Sequence, residues 1–132
     1  MAHRVPVSVE TSQDPLGRMR VYQLATAITP DAFKDAKSLQ ADPITAEIAG
    51  QLYAAVSSIE VHISEGYSRS SGKDRARIFE YALGSVRESM SWYKSSKPVL
   101  GDVTVKDRRD RLEEMRRLLL AIIPRERGRA MK

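Results

Sequence analysis

The sequence predicts an all-α protein, an antiparallel up-down four-helix bundle. Three observations predict it. Apolar residues recur at spacings of three and four through most of the 132-residue chain, the mark of one buried helical face. No segment alternates as a strand does. Short connections containing proline, glycine or serine separate the periodic segments, and short connections between helices imply neighbours that run in opposite directions.

Residues 1–16 read as a flexible leader, with two prolines and no helical period before the first turn. From Gly17 the pattern turns helical, with Val21, Leu24, Ala25 and Ile28 on one face. Pro30 either opens a new helix capped by Thr29 or kinks one long helix; one kinked helix ending near Leu39 is the preferred reading. Asp42 and Pro43 then supply an N-cap and a first helical residue. The second helix carries the stripe Ile44, Ile48, Leu52, Ala55, Ile59 and Ile63 and should end at Gly66 to Ser68, with Gly66 in the left-handed conformation. Ser71 caps a third helix with the stripe Ala76, Phe79, Leu83, Val86, Met90 and Tyr93, and with Ile78, Ala82, Ser85 and Ser89 on a second face. Pro98 and Gly101 stop it. Thr104 with Asp107 resembles a capping box for a fourth helix. Its buried side is Val105, Leu112, Met115, Leu119 and Ile122, and Pro124 should end it. The bundle thus spans 17–124, and 125–132 reads as a basic disordered tail.

Composition narrows the class. Hydrophobic residues at 42% can fill a core and charged residues at 30% can coat it. No run is long enough to span a bilayer, and the N-terminus lacks the apolar block of a signal peptide. With no cysteine, neither a disulfide framework nor a thiolate zinc site is expected. These features suit a soluble cytoplasmic protein with no membrane role. A net charge of +5 and a pI near 9.7 point to a polyanionic partner; the blander reading is a mixed-sign surface that is merely basic.

Several segments resemble a known family. "QLYAAVSSIEVHISEGYSRSSGKD" followed by "IFEYALGSVRES" is similar to the small four-helix bundle proteins encoded within intervening sequences of large-subunit ribosomal RNA genes. "VYQLA" at Val21–Ala25 resembles that family's opening, and the likeness runs from Arg18 to Leu119. Gln51–Leu52, the I-x-E-G-x-x-R of Ile63–Arg69 and the A-L-G-S-x-R-E of Ala82–Glu88 are specific in combination. Tyr53 and Ala54 replace an arginine pair, and "IEVH" at Ile59–His62 replaces "IPSN", so the second helix should be straighter. The resemblance implies a bacterial protein that forms a ring-like homopentamer. At the level of the fold it extends to the accessory variability protein of diversity-generating retroelements, a basic pentamer that works with a reverse transcriptase and binds nucleic acid.

Gly66 and Gly72 lack the preceding strand and the spacing of a phosphate loop; a helix end and a helix start explain them. The free amides at the start of the third helix could hold a phosphate, helped by Lys73, Arg75 and Arg77. Glu65 is expected to clamp the hairpin, pairing with Arg69 one turn on and lying close to Arg75, ahead of any acid–base role. Gly84 costs about 1 kcal/mol relative to alanine in a helix, which close approach of another helix would explain; Arg87 and Glu88 beside it would bridge helices or subunits. His62 and Glu65 share a helical face, but a di-iron bundle needs more ligands than one chain supplies, so no metal and no cofactor is expected. Tyr67 in the loop is the candidate for stacking on a base; the alternative is packing over the helix end. Tyr81 is assigned to core or interface.

Two basic clusters stand out: Arg69, Lys73, Arg75 and Arg77 at the hairpin, and Arg125, Arg127, Arg129 and Lys132 in the tail. The fourth helix interleaves its cations with acids at helical spacing, which suits a solvated face. The expectation is a non-enzymatic homo-oligomer that binds RNA or DNA or scaffolds a ribonucleoprotein. The alternative is an adaptor for a protein partner such as a reverse transcriptase.

Overall fold

The computed structural model describes residues 14–128. A 3-10 turn at Pro15–Arg18 precedes five α-helices: α1 (Arg20–Gln40), α2 (Ala46–Tyr67), α3 (Gly72–Ser95), the single-turn α4 (Lys97–Leu100) and α5 (Asp102–Arg127). The fold is all-helical, and no strand occurs among the described residues. The expected count of four is corrected by α4. Pro98 ends one helix but also preorganises the first turn of the next, where its missing N–H is no loss.

Each long helix exists because its apolar stripe finds a partner. Val21, Ile28 and Leu39 of α1, Leu52, Ile59 and Ile63 of α2, Phe79, Val86 and Tyr93 of α3, and Leu112, Met115 and Leu119 of α5 are fully buried in one core. Burial of side chains this size stabilises by about 1.5–3 kcal/mol each. α1 packs on α2, α2 on α3 and α3 on α5; the closing contact of α5 with α1 is thinner. It is also polar. Asp31 meets Arg111 and Asp35 meets Arg108, so the two helices pair in opposed sequence order.

Several helix ends differ from expectation. The leader ends earlier than residue 16, because Asp14 caps the 3-10 turn through a 3.0 Å bond from the Leu16 amide and Leu16 is buried. α1 is a single helix through Pro30, as preferred. Asp42 caps a turn rather than a helix, accepting from the Ile44 amide at 2.9 Å. The helix starts only at Ala46, and Ile44 is 88% exposed instead of buried. Gly66 is helical; the one positive-φ residue among those described is Gly101, at φ +87°. Gly101, not Thr104, precedes the first turn of α5, and Thr104 lies inside it. Only Gly adopts such a φ without strain. Pro124 does not stop α5, which continues to Arg127. Both Pro124 and Leu120 are exposed, so the carbonyl that Pro124 leaves without a donor lies on the solvent side. The tail proposed for 125–132 is therefore helical over its first three residues.

Candidate nucleic-acid interface

The structure brings the hairpin cluster and the described part of the tail cluster, Arg125 and Arg127, to one end of the molecule. Ser71 accepts from the Asp74 amide at 3.2 Å and starts α3 sharply after α2. This places Lys73, Arg75 and Arg77 in the first two turns of α3, beside Arg69. The last turn of α5 reaches the same end. Arg75 Nε lies 3.1 Å from Glu126 Oε1, and Arg127 pairs with Glu80 at 2.9 Å. Arg129 lies outside the described residues.

The pairing differs from the expected hairpin clamp. Arg75 turns away from Glu65; it binds Glu126 and donates to the Arg69 carbonyl at 3.3 Å. Glu65 instead stays on its own helix, 3.5 Å from Arg69 and 3.7 Å from His62 Nδ1. Arg77 stands 3.7 Å from Asp74. These last three contacts are long and largely exposed, and such pairs contribute little. Lys73 and Arg125 are exposed, and neither forms an ion pair among the described residues. The acids Glu65, Asp74, Glu80 and Glu126 therefore reduce, without cancelling, the charge of the six cations Arg69, Lys73, Arg75, Arg77, Arg125 and Arg127.

Within the chain, the close approach expected at Gly84 falls at Gly66 instead. A Cβ on Gly66 would stand 2.8 Å from two ring atoms of Phe79, so Gly66 is where α3 approaches α2 closely. A Cβ on Gly84 would meet nothing within 4 Å. Among the described residues no other helix approaches it. Arg87 is exposed, and Glu88 accepts from Trp92 Nε1 at 3.1 Å on the same helix, so within the chain neither bridges helices. Tyr67 packs partly buried against the core. The exposed aromatic at this end is Tyr81, 50% exposed. Among the described residues no group of three or more acidic or histidine side chains could hold a metal ion, and no helix is long and apolar enough to cross a membrane.

Away from this end, the face of α5 read as solvated is partly internal. Asp35 accepts from Arg108 through both oxygens, at 2.8 and 3.1 Å, and from Tyr93 at 2.6 Å. Asp107 accepts from Arg108 and Arg111 at 2.7 and 3.1 Å, and Arg111 also reaches Asp31. Burial works against the charge of Arg108, but the hydrogen bonds to Asp35 and Asp107 outweigh it and raise its pKa. The Tyr93 phenol is pushed up by burial, by its bond to Asp35 and by that carboxylate's charge. Nothing local in the sequence pairs Asp35 with Arg108; only the α1–α5 register does.

Comparison with known proteins adds the last observation. No curated protein matches the chain, and no solved structure matches it. The family model described as 23S rRNA-intervening sequence protein matches residues 17–121, from the 3-10 turn to the seventh-last residue of α5. That span holds the α2–α3 hairpin, the Gly66 contact and the whole of the core but for Leu16, Ile122 and Ile123. On this match the chain belongs to the 23S rRNA-intervening sequence protein family.

Proposed function

We propose that this protein is a non-catalytic, homo-oligomeric antiparallel bundle that binds RNA, or scaffolds a ribonucleoprotein, through the end where the α2–α3 hairpin and the last turn of α5 meet. The observation that carries the reading is the convergence of Arg69, Lys73, Arg75 and Arg77 with Arg125 and Arg127. Family membership supports it, since the family's name ties these proteins to ribosomal RNA genes. A homopentamer, as the resemblance implies, would carry about +25 and concentrate the charge around a ring. Affinity would be mainly electrostatic, because phosphate contacts need little beyond a positive field.

Binding to labelled structured RNA and duplex DNA across a salt series, with mass measured in parallel, tests the reading. Tight binding with a steep salt slope, reduced in Arg69→Ala with Lys73→Ala, is the expected outcome. A well-formed oligomer that binds neither polymer at low salt would refute it.

A second reading, an adaptor for a protein such as a reverse transcriptase, draws on a different surface. Between Glu47 and Glu65, which share their side of α2, the exposed residues Gly50, Gln51, Ala54 and Val61 carry no charge. Co-purification of a reverse transcriptase with the tagged protein would favour it.

A further inference from the structure

Lys73, Arg77 and Tyr81 follow one another at four-residue steps along α3, so they lie on one face. Gly84 continues that face, about 16 Å from Lys73 along the axis. The Tyr81 ring is half exposed, yet it is held. Arg77 Nη1 bonds to its hydroxyl at 3.1 Å, and His62 of α2 meets the ring edge-on, with centroids 5.9 Å apart and planes at 64°. The guanidinium carbon is 5.9 Å from the ring centroid, at the outer limit of cation–π range, so it grips the tip more than it covers a face. One turn further on, the space over Gly84 is open.

We propose that Tyr81 is a stacking platform for a base of single-stranded nucleic acid, with Arg77 and Lys73 on the adjoining phosphates and the open floor at Gly84 as the way for the strand to continue. The proposal rests on the nucleic-acid reading above and sharpens it from a charged surface to a site for unpaired bases. Every base has a π-face, so a fixed aromatic beside cations binds single strands with little regard to sequence. The two contacts to Tyr81 order the ring before a ligand arrives, which lowers the entropic cost of binding. Asp74 competes little with a phosphate for Arg77, because that pair is long and exposed. The site also gives exposed Gly84 a reason: a larger side chain would stand in the path of the strand.

The test is fluorescence anisotropy of the full chain with a labelled uridine oligonucleotide, a thymidine oligonucleotide and an RNA duplex, at low salt and in a salt series. The single strands should bind more tightly than the duplex. Tyr81→Ala should weaken single-strand binding on the order of tenfold with an unchanged salt slope. Tyr81→Phe keeps the ring and its His62 contact but loses the Arg77 bond, so it should recover most but not all of the binding, and Arg77→Ala should lower the slope by about 0.7. Melting curves show that each variant folds. If the wild-type protein binds and Tyr81→Ala binds equally well, the stacking site is refuted while the electrostatic reading stands. If no oligonucleotide binds, both fail. If Tyr81→Ala changes the oligomer's mass, the face is a contact between copies and the proposal is overturned.

Discussion

Arg108 of α5 holds both oxygens of Asp35 in α1, at 2.8 and 3.1 Å, with the two side chains only 14% and 7% exposed. Removing one partner of a buried pair strands the other, which costs about 3–5 kcal/mol. Asp35→Ala should therefore lower stability by about 3 kcal/mol, at the lower end of that range because Arg108 keeps Asp107. Replacing both, as Asp35→Leu with Arg108→Met, should recover only part of the loss, because the buried Tyr93 hydroxyl still lacks the acceptor it has in Asp35. Urea unfolding of the single and double variants checks the sign and the coupling.

Tyr93 predicts the alkaline limit. Its phenol is raised above the ordinary value of 10, first by burial and then by Asp35. Between that value and the higher folded pKa, the unfolded chain releases a proton that the folded chain keeps. Stability is thus full below about pH 10 and falls as pH rises above it. Absorbance titration should show Tyr93 ionising only on unfolding. Tyr93→Phe should remove this late step.

Gly66 and Gly84 should respond oppositely to alanine. At Gly66 the new methyl meets the Phe79 ring at 2.8 Å and Ile78 Cβ at 3.3 Å, and overpacking of this kind costs about 1–3 kcal/mol. At Gly84 there is open space, and the gain in helix propensity should stabilise by about 0.5–1 kcal/mol. Thermal melts of the two variants provide the comparison. Loss of stability at Gly84 would show that something outside the chain packs there.

Glu126 should anchor the last turn of α5. Its carboxylate is nearly buried against Arg75. Glu126→Gln removes the carboxylate's charge from this nearly buried ion pair and leaves the Arg75 charge without its partner. Amide hydrogen exchange should accelerate across residues 120–127 and leave the middle of α3 protected. Uniform acceleration through all helices would contradict a local anchor.

The sequence made the stripes legible and the junctions much less so. Leu52, Ile59, Phe79, Val86, Leu112 and Leu119 could be placed in the core because burial selects period and polarity together, and both are written locally. Caps are ambiguous for a physical reason. Asp42 and Thr104 have the chemistry of an N-cap, but a side-chain oxygen can bond to a turn amide as readily as to a helix. Pro124 reads as a stop, yet costs less on a face where water can take the freed carbonyl. The basic residues of the candidate site were visible, but their convergence was not, because Arg75 with Glu126 and Arg127 with Glu80 depend on how α5 lies on α3. Pattern alone favours Tyr67 over Tyr81, because exposure on a helix is decided by its neighbours, and Tyr67 packs down where Tyr81 does not.

The turn at residues 41–45 and the α2–α3 hairpin sit at opposite ends of α2, roughly 33 Å apart at the helical rise. Ile44 projects into solvent at the first, and the chain contains no cysteine. A single Ile44→Cys substitution would therefore give the only thiol in the molecule, at the pole away from Lys73, Arg77 and Arg125. Through it the protein can be tethered to a bead or sensor chip in one orientation, with its basic end facing the solution. A tag on the C-terminus leaves α5 at that same basic end and would crowd the surface it is meant to present.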